Sequence, residues 1–179
     1  MHIRHGWFSL PAVIAATMLV TASAFGAQAQ SQDDIAMAKR FVGMWRLVSR
    51  AVRYADGTAR QSPNSAGYII YTDTDPVRMC YVAMNPNLPK WKSDRKTPTP
   101  TPEEAVIANF NAYCSTVEVH AKESFVLHHV EVAAIPNLVG RIRKRHFTFE
   151  GPNRVALRID ASELDPPVIE DILTWERVR

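Results

Sequence analysis

The sequence predicts one all-β domain behind a cleavable leader, and three observations carry that prediction. Residues 44–54 alternate with a period of two, which sets Trp45, Leu47, Ser49 and Ala51 on one face and Arg46, Val48, Arg50 and Val52 on the other. Apolar runs of similar length recur down the chain, each ended by a Gly, Pro, Asn or Asp breaker. Helical periodicity is confined to two short stretches. Short strands at regular spacing with little helix form a β-sandwich or a β-barrel.

The leader comes first. Arg4 supplies a positive charge, the run from Leu10 to Phe25 has none, and Ala27-Gln28-Ala29 is a small-x-small cleavage pattern. The run is short of the roughly 20 apolar residues that cross a bilayer, and no basic cluster follows it. Residues 1–29 therefore read as a signal peptide, and the expected location is periplasmic or secreted. Residues 30–40 are a lead-in: Ile35, Ala38 and Phe41 recur at helical spacing behind Asp33 and Asp34. Residues 41–179 form the domain, which no integral membrane segment is expected to anchor after cleavage.

Within it, Asp56-Gly57 is a hairpin signal after the first strand. The next strands are expected at 66–72 and 77–84. The segment 85–102 holds five prolines and the bases Lys90, Lys92, Arg95 and Lys96. Proline removes a ladder donor, so this is a stiff loop and not a central strand. Thr101-Pro102-Glu103-Glu104 is a helix start, with the helix running to about Ala112. Strands should follow at 113–121, 124–134, 140–150, 153–160 and about 170–178, giving eight in all.

Loss of residues 1–29 lowers the formal charge from +3 to about +2, too balanced to imply nucleic acid. Cys80 and Cys114 flank the Pro-rich loop; in an oxidising compartment they are either a disulfide or two buried thiols. Phosphate-loop, dinucleotide-binding and nucleophile-elbow patterns are missing from the sequence, and no cofactor is expected. His128 and His129 are adjacent on a strand and point to opposite faces, so they do not chelate one metal.

Several ordered segments match a family: Phe41-Val42-Gly43-Met44-Trp45-Arg46, Gly67-Tyr68-Ile69-Ile70-Tyr71-Thr72, Thr101-Pro102-Glu103-Glu104-Ala105, His128-His129-Val130-Glu131, Pro136-Asn137-Leu138-Val139-Gly140 and Thr174-Trp175-Glu176-Arg177. The chain resembles the bacterial lipocalin-like domain family, with Gly43-Met44-Trp45 as its Gly-x-Trp motif. The resemblance implies a closed antiparallel up-and-down barrel of about eight strands, one or two short helices, and a central cavity. It also implies that Trp45 packs at the closed end under Arg177 of the last strand, a structural pair.

Barrel strands alternate inside and outside, so the pattern proposes cavity residues. Ser49 shares the face of Trp45, and Tyr71 that of Ile69. Arg145 shares the face of Phe147. His128 is favoured inward with Val126, Val130 and Val132; if the opposite face turns in, Glu131 becomes a partner for Arg145. An interior Arg needs a partner or a ligand. Ser49, Tyr71, His128, Glu131 and Arg145 are thus the candidate ligand-binding residues, and a small hydrophobic or amphipathic molecule is the expected partner. A barrel enzyme using His128 and Arg145, and a filled structural barrel, are the alternatives.

Overall fold

The computed structural model describes residues 30–62, 66–87 and 110–179. The expected signal peptide, most of the Pro-rich loop and residues 103–109 of the expected helix lie outside the described residues. Residues 110–112, expected to end that helix, instead open a strand.

Helix α1 spans Gln32–Phe41. Ser31 and Asp34 cap it reciprocally: the Ser31 hydroxyl accepts from the Asp34 amide, and the Asp34 carboxylate accepts from the Ser31 amide. The other Asp34 oxygen accepts from the Ala121 amide at 2.7 Å, which pins the helix to the barrel. Nine strand segments follow: β1 Gly43–Tyr54, β2 Ala59–Ser62, β3 Ala66–Tyr71, β4 Arg78–Met84, β5 Phe110–His120, β6 Phe125–Ala133, β7 Ile142–Phe149, β8 Arg154–Ile159 and β9 Val168–Arg177.

Each strand pairs antiparallel with its neighbour in the order β3 to β9, and β9 closes the sheet on β1. Segments β2 and β3 pair with the later and earlier halves of β1. They therefore fill one strand position, and the barrel has the eight positions expected. Segment β2 escaped sequence reading because Arg60-Gln61-Ser62 carries no apolar alternation.

One end of the barrel is plugged by α1. Phe41 reaches under the sheet and packs its ring 5.1 Å from Tyr71, 5.2 Å from Phe147 and 4.9 Å from Phe149. Trp45 is fully buried beside it and donates its indole N–H to the Phe41 carbonyl at 2.7 Å. The Arg177 guanidinium lies 4.1 Å from the Trp45 ring centroid and donates to the carbonyls of Arg40 and Val42. Gly43 makes this possible. Its φ is +120°, and a Cβ there would sit 2.8 Å from an Arg177 nitrogen.

Three register shifts interrupt the described strands, one of them between Arg53 and Tyr54 opposite Ile169 of β9; the other two change the inside–outside parity of residues proposed for the site, and neither is visible in the sequence pattern. In β1 the register with β9 shifts between Leu47 and Ser49. Trp45 and Leu47 face inward, but beyond the shift Arg50, Val52 and Tyr54 line the interior, and Ser49 does not. In β5–β6 the shift falls between Cys114 and Ser115, opposite Glu131. It leaves Val130 buried and throws Val132 outward to 65% exposure.

Cys80 and Cys114 sit directly opposite each other on β4 and β5 and form a disulfide. It closes a separation of 34 residues that contains the Pro-rich segment, and such closure stabilises mainly by restricting the unfolded chain. Among the described residues, no helix is long and apolar enough to cross a membrane.

Candidate functional site

Away from the plugged end the barrel holds a cavity of about 570 Å³. Its lower walls are apolar, with Leu47, Ile69, Leu157, Leu173 and Trp175. Among the described residues, four arginines, Arg50, Arg60, Arg143 and Arg145, line it against one acidic residue, Asp171. The cavity therefore joins an apolar floor to a polar, arginine-rich upper part, and converging polar groups of this kind fix the orientation of a small ligand.

Strand β7 brings Arg143, Arg145 and Phe147 to its inner face by simple alternation. Arg145 is buried at 5% exposure, and its partner is Glu163 at 2.7 Å. Glu163 ends the short 3-10 turn Ala161–Glu163 between β8 and β9, which Asp160 caps by accepting from the Ser162 amide. Its carboxylate also accepts from Arg143 at 2.9 Å and from the Lys144 amide at 2.6 Å. Arg145 gives the same terminal nitrogen to the Lys144 carbonyl. Arg50 makes a two-bonded pair with buried Asp171, at 2.9 and 2.6 Å.

His128 projects from β6 and is fully buried. One ring nitrogen lies 3.2 Å from the Tyr71 hydroxyl and the other 3.0 Å from the Tyr113 hydroxyl. Burial pushes the imidazole well below its ordinary pKa, and Arg145, Arg143 and His129 add to the effect. Burial likewise raises Tyr71 and Tyr113, so the chain Tyr71–His128–Tyr113 is neutral. A neutral imidazole donates from one nitrogen and accepts at the other. One tyrosine therefore donates to His128 and the other accepts from it. Tyr81, 5.3 Å from Tyr113 ring to ring, extends the aromatic wall, and burial pushes its hydroxyl up to about 12.

The neutral histidine makes stability depend on pH. The unfolded chain binds a proton at His128 below about pH 6.5, whereas the folded chain does not until its depressed pKa is reached. Stability is therefore full above about pH 6.5 and falls as the pH drops from there towards the depressed pKa, with a limiting slope of about 1.4 kcal/mol per pH unit. Asp160, held low by Ser162 and His146, loses its own contribution only below the ordinary carboxylate pKa, so the windows separate. Urea unfolding between pH 7.5 and 5 should show a steeper loss in wild type than in His128→Gln. Equal slopes would show that the histidine is not held neutral.

Of the residues proposed from sequence, His128 and Arg145 line the cavity. Tyr71 lies behind His128 as its partner and does not line the cavity. Ser49 faces away because of the β1 bulge. Glu131 is exposed and pairs with Arg78 on the outer surface, so the partner of Arg145 is Glu163 instead. Trp45 and Arg177 form the floor. Tyr113 and Asp171 were not singled out, although Tyr113 heads a clear alternation with Ser115, Val117 and Val119, all buried. Glu163 lies in a turn, where no periodicity marks it.

The family model described as a lipocalin-like domain matches residues 42–178. No curated protein matches the chain. Similar solved structures include a redesigned beta barrel at 12% identity, covering 79% of this chain and 95% of that one with a TM-score of 0.41. A de novo designed fluorescence-activating beta barrel is similar at 12% identity, 79% and 96% coverage and a TM-score of 0.43. A third, a structure bound to DFHBI, has 14% identity, 83% and 100% coverage and a TM-score of 0.41.

Proposed function

The chain belongs to the lipocalin-like domain family, and we propose that it is an exported protein that binds a small amphipathic carboxylic acid in its barrel. The observation that carries this reading is the cavity itself: apolar walls below and, among the described residues, four arginines against one aspartate above. Glu163 takes one nitrogen of Arg145, and the rest of that guanidinium remains beside the Tyr113 hydroxyl, whose pKa burial raises against the opposing pull of the Arg145 charge. A ligand carboxylate there gains charge-assisted hydrogen bonds in a poorly hydrated site. Export rests on the leader pattern of residues 1–29 and on the Cys80–Cys114 disulfide, which persists in oxidising compartments.

Binding is favoured over acid–base catalysis by His128. Both of its nitrogens are already engaged by tyrosines, which leaves no lone pair to take a substrate proton.

Titration with dodecanoate, read by displacement of an environment-sensitive dye, tests the proposal. Saturable binding is expected in wild type. Arg145→Met keeps the side-chain volume and removes the charge, and it should weaken binding roughly 10- to 100-fold, as loss of a charged hydrogen bond does. Wild-type protein that binds neither dodecanoate nor aromatic acids would overturn the reading. Native mass spectrometry of protein from its own source would identify the natural ligand by mass.

A further inference from the structure

We infer that Trp175 reads the far end of the ligand, so that the cavity prefers an amphipathic acid carrying an oxygen at its apolar terminus over one ending in a methyl group. The inference rests on the binding reading and deepens it. Trp175 is 1% exposed and lines the cavity, yet its Nε1–H finds no acceptor among the described residues. A buried indole N–H ordinarily has a partner, and leaving one unpaired is costly because its desolvation is not compensated. The contrast with Trp45 is direct, since that indole donates to the Phe41 carbonyl. Among the described residues three other buried side-chain atoms lack a hydrogen-bond partner: Asn111 Oδ1, Ser115 Oγ and His120 Nε2, the last lying 2.8 Å from the Glu118 carboxylate and away from the cavity. Ser115 does not line the cavity, and Asn111 is only half-buried at its mouth, so Trp175 is the one that combines full burial with cavity access.

Its position suits the far end. Trp175 pairs with Val155, and Arg145 pairs with Ile159, four residues further along the same strand β8. At strand spacing that is about 13 Å, a distance that a medium-length acyl chain spans. Leu157 lines the cavity between them. An acid whose carboxylate meets Arg145 therefore brings its terminal atoms to the indole edge. A terminal hydroxyl or carbonyl oxygen accepts the orphan N–H. A terminal methyl leaves it unpaired, and a site with an unanswered polar group discriminates against the ligand that cannot answer it.

Dodecanoate and ω-hydroxydodecanoate are titrated against wild type and Trp175→Phe. The ratio of their dissociation constants should favour the hydroxy acid in wild type and fall about tenfold in the variant. In wild type, the Trp175 Nε1–H proton resonance should move downfield with the hydroxy acid and not with dodecanoate. This second readout holds even if the variant folds poorly. An unchanged ratio, or a resonance that responds equally to both acids, overturns the inference and leaves the binding reading standing. Wild-type protein that binds neither of these acids nor an aromatic acid overturns both.

Discussion

Trp45→Ala is expected to lower the unfolding free energy by about 3–5 kcal/mol, the cost of removing a large buried aromatic side chain. Three losses combine at this position. The fully buried indole leaves a void at the plugged end. The Phe41 carbonyl loses its 2.7 Å donor, which loosens the end of α1. Arg177 loses the ring against which its guanidinium lies at 4.1 Å. Typical domains have only about 5–15 kcal/mol in hand, so the variant should melt roughly 10 °C lower or more. Urea unfolding should show the midpoint shifted with little change in slope. Trp45→Phe retains most of the packing and the cation–π face and should cost less than half as much. If the two variants were equally destabilised, the hydrogen bond to Phe41 and not the packing would dominate the floor.

The same floor shows what the sequence makes legible. Gly43, Trp45 and Arg177 are readable through the resemblance, as its Gly-x-Trp motif and last-strand arginine, and the Arg177 guanidinium does lie over the Trp45 ring. Strand existence was readable too, since a half-buried strand must alternate. Alternation also located His128 and Arg145 correctly relative to their neighbours Val126 and Phe147. It failed where the alternation itself breaks. A bulge inserts one residue and inverts every later side chain, so Ser49 exchanged places with Arg50, and Val132 left the interior. Nothing in Leu47-Val48-Ser49-Arg50 announces the insertion, because both possible inner faces hold an apolar residue and a polar one. The long-range partners were illegible for a different reason. Glu163 meets Arg145 because the β8–β9 turn folds over the barrel rim, and Asp171 meets Arg50 across 121 residues of chain. Such pairs are set by the closed sheet and not by local pattern.

Glu163→Ala is expected to cost about 3–5 kcal/mol, the range for breaking a buried ion pair by removing one partner. The carboxylate serves Arg145, Arg143 and the Lys144 amide together, and its side chain is only 18% exposed. Arg145, 6% exposed at its side chain, would then be an unpaired charge inside the barrel. Glu163→Gln keeps an acceptor for the Lys144 amide and should fall between wild type and Ala. The double variant Glu163→Ala/Arg145→Met should recover much of the loss, because the stranded charge goes with its partner; a double-mutant cycle reads that coupling. Binding should move the opposite way. Without Glu163 the Arg145 guanidinium has no carboxylate among the described residues, so a ligand carboxylate takes that place, and dodecanoate should bind Glu163→Ala more tightly than wild type. Added dodecanoate should also restore part of the lost stability through linkage. A variant that is destabilised and binds dodecanoate no better would show that Glu163 only braces the β8–β9 turn and does not compete with ligand for Arg145. Opposite signs in stability and affinity, measured on one substitution, would identify Glu163 as the internal anion that a carboxylate ligand replaces.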